Sequence, residues 1–72
     1  MKNNIFGTRL KELRIQEGLT LQKLASAISI PFSTIGYWET GKQDNPTMKG
    51  LIAIADYFDV SIDYLVGRKE DY

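Results

Sequence analysis

The sequence predicts an all-α fold: one compact domain built from five short helices. Three observations lead there. Apolar residues recur at helical spacing almost throughout, no stretch alternates apolar and polar residues long enough for a strand, and residues that start and stop helices punctuate the 72-residue chain at short intervals.

Taken in order, Phe6, Leu10 and Leu13 share one face of a first helix over about residues 4–17, with Gly18 as its stop. Thr20 is a natural N-cap for a second helix, in which Leu21, Leu24, Ala25 and Ile28 form a stripe at i, i+3, i+4 and i+7. Ser29 and Ile30 make a short turn. Pro31 is placed at the first position of a third helix, where its fixed φ and missing N–H do no harm, and the helix runs to Thr40 before Gly41. Residues 42–46 (Lys-Gln-Asp-Asn-Pro) form a polar loop. Thr47 caps a fourth helix that turns Leu51, Ile54, Ala55 and Phe58 inward. Ser61 caps a short fifth one carrying Ile62, Leu65 and Val66 and closing at Gly67. Asp59 and Asp63 take turn and first-turn roles. The domain is therefore expected over residues 1–67, with residues 68–72 as a charged, frayed C-terminal tail.

Composition closes off several classes of function. The chain has neither Cys nor His, so disulfides, the usual zinc sites, Ser/His triads and Cys nucleophiles cannot be built. It also lacks a Gly-rich phosphate loop, and no enzyme activity, metal or cofactor is implied. At 43% hydrophobic and 25% charged, the balance is that of a globular domain. The longest unbroken apolar run, Leu51 to Ala55, is far below the roughly 20 residues of a bilayer span. Lys2, Ile5 and Phe6 are followed at once by Arg9, Lys11 and Glu12, which leaves no secretory h-region. A soluble, cytoplasmic protein with no membrane partner is expected.

Net charge is zero, but its distribution is not even. Residues 1–49 hold seven basic and four acidic side chains, whereas residues 50–72 hold two and five. That polarity would orient the domain on a polyanion.

The segment from Leu19 to Lys42 carries the functional reading. Two short helices with about three residues between them form a helix-turn-helix, whose second helix can project into a groove. At 100° per residue, Pro31, Ile35 and Trp38 fall on one side of the third helix, and Ser33, Gly36, Tyr37 and Thr40 on the other. The first set is a core face. The second is small, polar and aromatic without a charge, which marks a surface meant to be covered rather than solvated.

Taken together, RLKELR at 9–14, GLT at 18–20, LA at 24–25, STI at 33–35, YWETGK at 37–42, Pro46 and DVSIDYLVG at 59–67 resemble the Cro and phage-repressor type of helix-turn-helix, the XRE family. The likeness covers about residues 6–67. It implies a five-helix repressor-like domain in which the second and third helices form the motif and the third enters the major groove of double-stranded DNA. By position, it assigns base reading to Phe32, Ser33, Gly36 and Tyr37, with Thr34 at the margin. It assigns phosphate contact to Thr20, Leu21, Gln22, Thr40, Lys42 and Gln43, and a structural pair to Arg14 and Glu39. The implied function is transcriptional regulation, of the phage-repressor, bacterial-regulator or antitoxin kind, by a homodimer on a two-fold operator.

Against the family pattern, Leu21 stands where Gln is common, and Gln22 lies one place on. The reading face lacks the Arg, Asn or Gln that make bidentate base contacts, and Asp44 sits in the phosphate-facing loop. These departures imply weaker or less selective DNA binding than in a strongly basic relative. They keep a second reading open, a helix-turn-helix used to bind a protein partner through Phe32 and Tyr37. Arg14 has an alternative role at phosphate, Lys42 one as a solvated loop charge, and Gly36 either admits close approach of DNA or is a tolerated defect. Phe32 and Tyr37 serve as partner contacts or as half-buried packing. Candidate self-association residues are Tyr57, Ile62 and Tyr64 at the apolar end of the last two helices.

Overall fold

Asn4 opens the first helix by accepting a hydrogen bond from the Gly7 N–H at 3.2 Å through its Oδ1. A computed structural model describes residues 4–43 and 45–72. Lys2 and Asp44, which entered the charge reading above, lie outside the described residues. Five helices follow in order: α1 (Ile5–Gln16), α2 (Leu21–Ile28), α3 (Phe32–Thr40), α4 (Met48–Phe58) and α5 (Ile62–Leu65). Among the described residues there is no strand, and no helix is long and apolar enough to cross a membrane.

Thr20, Thr47 and Ser61 each accept a backbone N–H from three residues on, at 3.1, 3.0 and 3.0 Å, and so fix the starts of α2, α4 and α5. Pro31 differs by one position from the sequence expectation. With φ −55° and ψ 138° it stands outside α3 as the N-cap, and its carbonyl takes the first helical hydrogen bonds from Thr34 and Ile35. Its fixed φ suits both places, but the extended ψ excludes it from the helix. Gly41, at φ 81°, turns the chain left-handed to end α3. Ser29 and Asp59 do the same for α2 and α4 without being glycine.

The core is a single cluster. Phe6, Leu10 and Leu13 from α1, Leu24 from α2, Ile35 and Trp38 from α3, and Leu51 and Ile54 from α4 meet Tyr64 and Leu65 from α5. Two sequence expectations fail at its lower end. The tail is exposed but tethered rather than frayed: the Ser61 N–H donates to the Tyr72 carbonyl at 2.9 Å, and the Tyr72 ring stands edge-on to Tyr64 at 4.9 Å. Arg9 secures it from α1, donating to the Tyr64 carbonyl and, at 2.7 Å, to that of Lys69. Charge alone argued for fraying, but backbone acceptors within reach of one guanidinium outweigh it. Tyr64 is also not available for self-association. It is 8% exposed, with the Arg9 guanidinium 4.2 Å above its ring. Burial, more than any neighbouring charge, raises its pKa above the usual tyrosine value.

Candidate nucleic-acid interface

α3 is held from one side and near one end. Ile35 is fully buried and Trp38 is 3% exposed. The Trp38 ring meets Phe6 at 5.7 Å in an edge-on arrangement. Its far edge lies over Gly50 of α4, where a Cβ would come within 2.6 Å of Cη2. Asn4 reaches across from the start of α1 and donates through Nδ2 to the carbonyls of Trp38 and Glu39, both at 3.2 Å. One side chain thus caps the N-terminus of α1 and donates to two carbonyls in the last turn of α3, of which that of Trp38 also accepts the Gly41 N–H at 3.4 Å. That crossing is tight enough that a Cβ on Gly7 would sit 2.1 Å from the Trp38 carbonyl oxygen.

Arg14 and Glu39 complete the clamp. Nε donates to Oε2 at 2.6 Å and Nη2 to Oε1 at 3.0 Å, a two-pronged geometry, while Nη1 donates to the Leu19 carbonyl at 2.7 Å. Both side chains are largely covered, at 14% and 5% exposure. The hydrogen bond to Glu39 raises the Arg14 pKa further above its usual value, more than burial lowers it. The guanidinium's donors are thus turned inward, and one side chain of α1 bonds both α3 and the entrance to α2.

The opposite side of α3 is left clear. Phe32 and Tyr37 are 52% and 42% exposed, Ser33 and Thr40 are exposed, and Thr34 and Gly36 are half-buried. At the far end, the Lys42 ammonium lies 5.0 Å from the Tyr37 ring centroid, a cation–π distance that keeps a positive charge on this face. The Gln43 N–H donates to the Tyr37 carbonyl at 3.1 Å and folds the loop back under α3. Thr40 turns its hydroxyl onto its own helix, within 3.1 Å of the Gly36 carbonyl and 3.3 Å of that of Tyr37. At the start of α2, Thr20 and Gln22 are exposed and Leu21 is half-buried. The Thr20 oxygen accepts the Lys23 N–H, which leaves its proton free for an anion. Lys23 is exposed beside them, a cation the sequence reading passed over.

Three residues that position this face escaped the sequence reading. Asn4 carried a visible signal as a cap-type residue just before an apolar helix. Gly7 and Gly50 each interrupt a helical pattern, a feature that calls for a packing reason.

A helix-turn-helix family model matches residues 10–65. The uncharacterised HTH-type transcriptional regulator YobD of Bacillus subtilis is 36% identical over 63 residues, which are 88% of this chain and 55% of that protein. The chain thus spans little more than half the length of this relative. The N-terminal DNA-binding domain of SinR from Bacillus subtilis superposes with a TM-score of 0.83 at 28% identity, covering 89% of this chain and 93% of that one. SinR solved in complex with DNA superposes with a TM-score of 0.80 at 30% identity, covering 85% and 97%.

Proposed function

This chain belongs to the XRE-type helix-turn-helix family, and on that premise we propose that it binds double-stranded DNA sequence-specifically as a cytoplasmic transcriptional regulator of the phage-repressor, bacterial-regulator or antitoxin type. It acts by binding rather than by catalysis. α3 lies in the major groove, which admits a helix, with Phe32, Ser33, Gly36 and Tyr37 toward base edges and Thr34 at their margin. Thr20, Gln22, Lys42 and Gln43 take phosphates, and Thr40 joins them only by turning its hydroxyl proton away from the Gly36 and Tyr37 carbonyls. The observation that carries this reading is the asymmetry of α3: Ile35 and Trp38 are buried and clamped, while on the uncharged opposite side Phe32, Ser33, Tyr37 and Thr40 are exposed and Gly36 is half-buried. A helix fixed in this way offers its free face without rearrangement, which lowers the ordering cost of binding.

One such domain buries only about 600–1,000 Å² of its own surface on DNA, so specific affinity calls for two copies on a two-fold site. With Tyr64 buried and Ile62 half-buried, Tyr57 is the exposed member of the candidate self-association residues.

Exposed Phe32 and Tyr37 on a chain of zero net charge also favour a second reading, in which the same face docks a protein. Salt separates the two. Affinity for a duplex selected from a random pool, followed by fluorescence anisotropy, is expected to fall about a hundredfold between 50 and 200 mM salt if each copy sets Lys42 and Lys23 on phosphates. Tyr37→Ala is expected to weaken binding about tenfold with the melting temperature nearly unchanged, because it removes an exposed ring and the seat of Lys42. A salt-insensitive association would favour the protein-docking reading, and full duplex affinity in the variant would count against the assigned face.

A further inference from the structure

We propose that Asn4 is a positioning residue for DNA binding: from the start of α1 it fixes the turn at Gly41 and so holds Lys42 where it meets a phosphate. The proposal rests on the DNA-binding reading above and adds to it a side chain that lies ahead of residues 10–65, the span of the family match.

The amide of Asn4 has one orientation that satisfies its neighbours. Oδ1 accepts the Gly7 N–H at 3.2 Å, and Nδ2 donates to the carbonyls of Trp38 and Glu39. Flipping it would set an oxygen against two carbonyl oxygens. A helix cap needs only the acceptor, which serine or aspartate supplies equally well. The two donors serve α3 alone, and only an amide joins them to that acceptor on so short a stem. Asparagine at this position therefore answers a demand from the C-terminal end of α3.

That demand comes from the turn. Gly41 redirects the chain at φ 81°, and its own N–H reaches the Trp38 carbonyl over a long 3.4 Å. Glycine has the most backbone freedom to lose, so a turn built on it needs outside contact to keep one shape. Asn4 supplies that contact. A Cβ on Gly41 would lie 3.1 Å from Asn4 Nδ2 and 3.4 Å from its Cγ, which puts the amide directly against the turn. Lys42 is the next residue, exposed, with its ammonium 5.0 Å from the Tyr37 ring. Beyond it the Gln43 N–H returns to the Tyr37 carbonyl at 3.1 Å. The backbone carrying Lys42 is thus pinned before it by α1 and after it by α3. Without the Asn4 bridge the first pin is lost while the charge remains.

The test compares the full chain with Asn4→Ser and Asn4→Thr, which keep a hydroxyl cap on α1 and lose the Nδ2 bridge, on a duplex selected from a random pool. Circular dichroism reads the folded fraction of each variant at the assay temperature, so that affinity refers to folded protein. Between 50 and 200 mM salt, wild-type affinity is expected to fall about a hundredfold and that of either variant only about tenfold, because two copies each give up one phosphate contact. Combining Asn4→Ser with Lys42→Ala is expected to weaken binding no further than Lys42→Ala alone, as for residues acting through one contact. Ile54→Val, which removes a methyl group from the core, is expected to lower the melting temperature and keep the wild-type salt dependence. A wild-type salt dependence in Asn4→Ser, losses that add to those of Lys42→Ala, or an equally shallow dependence in Ile54→Val overturns the inference and leaves the DNA-binding reading standing. Failure to select any duplex, or a wild-type association insensitive to salt, removes both.

Discussion

Glu39→Ala is expected to lower the stability of the domain by about 3 kcal/mol, most of what a chain of this size holds in reserve. The carboxylate receives two hydrogen bonds from Arg14 and is 5% exposed. Its removal strands a guanidinium that is 14% exposed and retains only the Leu19 carbonyl. Breaking one half of a covered pair costs more than the pair contributes, because the surviving charge has lost both water and partner. Deleting both partners is correspondingly milder: Arg14→Met with Glu39→Leu is expected to recover a substantial part of the loss. Thermal unfolding followed by circular dichroism reads both effects. A melting temperature unaltered in Glu39→Ala would show that the pair does not hold α1 to α3.

Gly7→Ala is expected to be still more damaging, although alanine is the better helix former by about 1 kcal/mol. The added methyl would lie 2.1 Å from the Trp38 carbonyl oxygen and 2.3 Å from Asn4 Nδ2. The first of these is backbone and cannot swing aside. α1 must move away from α3, which breaks the Asn4 bridge and opens the Phe6–Trp38 contact, a loss of about 3 kcal/mol or more. Chemical denaturation gives the check. A stability equal to or above wild type would mean that α1 and α3 do not cross as closely as described.

The Arg14–Glu39 pair followed from the family resemblance, whereas Gly7 marks where the sequence stops being informative. The starts of α2, α4 and α5 were legible because a threonine or serine cap bonds a backbone N–H only three residues away. The core was legible because Ile35 and Trp38 share one phase of a helix, and that same phase put Ser33, Gly36 and Tyr37 on the surface. Asn4 was not, since its acceptors on Trp38 and Glu39 lie 34 and 35 residues distant and nothing local announces them. Gly7 reads locally as a flaw in α1 and becomes a requirement only once α3 is laid against it. The tail and Tyr64 were misread for the same reason. Their local features are charge and a polar ring, whereas Arg9, at the other end of the chain, fixes both. Pro31 was misplaced by one residue because its φ is common to the cap and the first helical position.

Because the chain contains no cysteine, a single Ser33→Cys substitution gives α3 a unique thiol on its exposed face. Disulfide trapping against selected duplexes would then locate that face directly. Ser33→Cys is predicted to couple to a thiol tethered at cytosine N4, which projects into the major groove, and not to one tethered at guanine N2 in the minor groove. Coupling through the minor-groove tether alone, or none from a bound complex with the tether scanned across the site, would contradict the placement of α3.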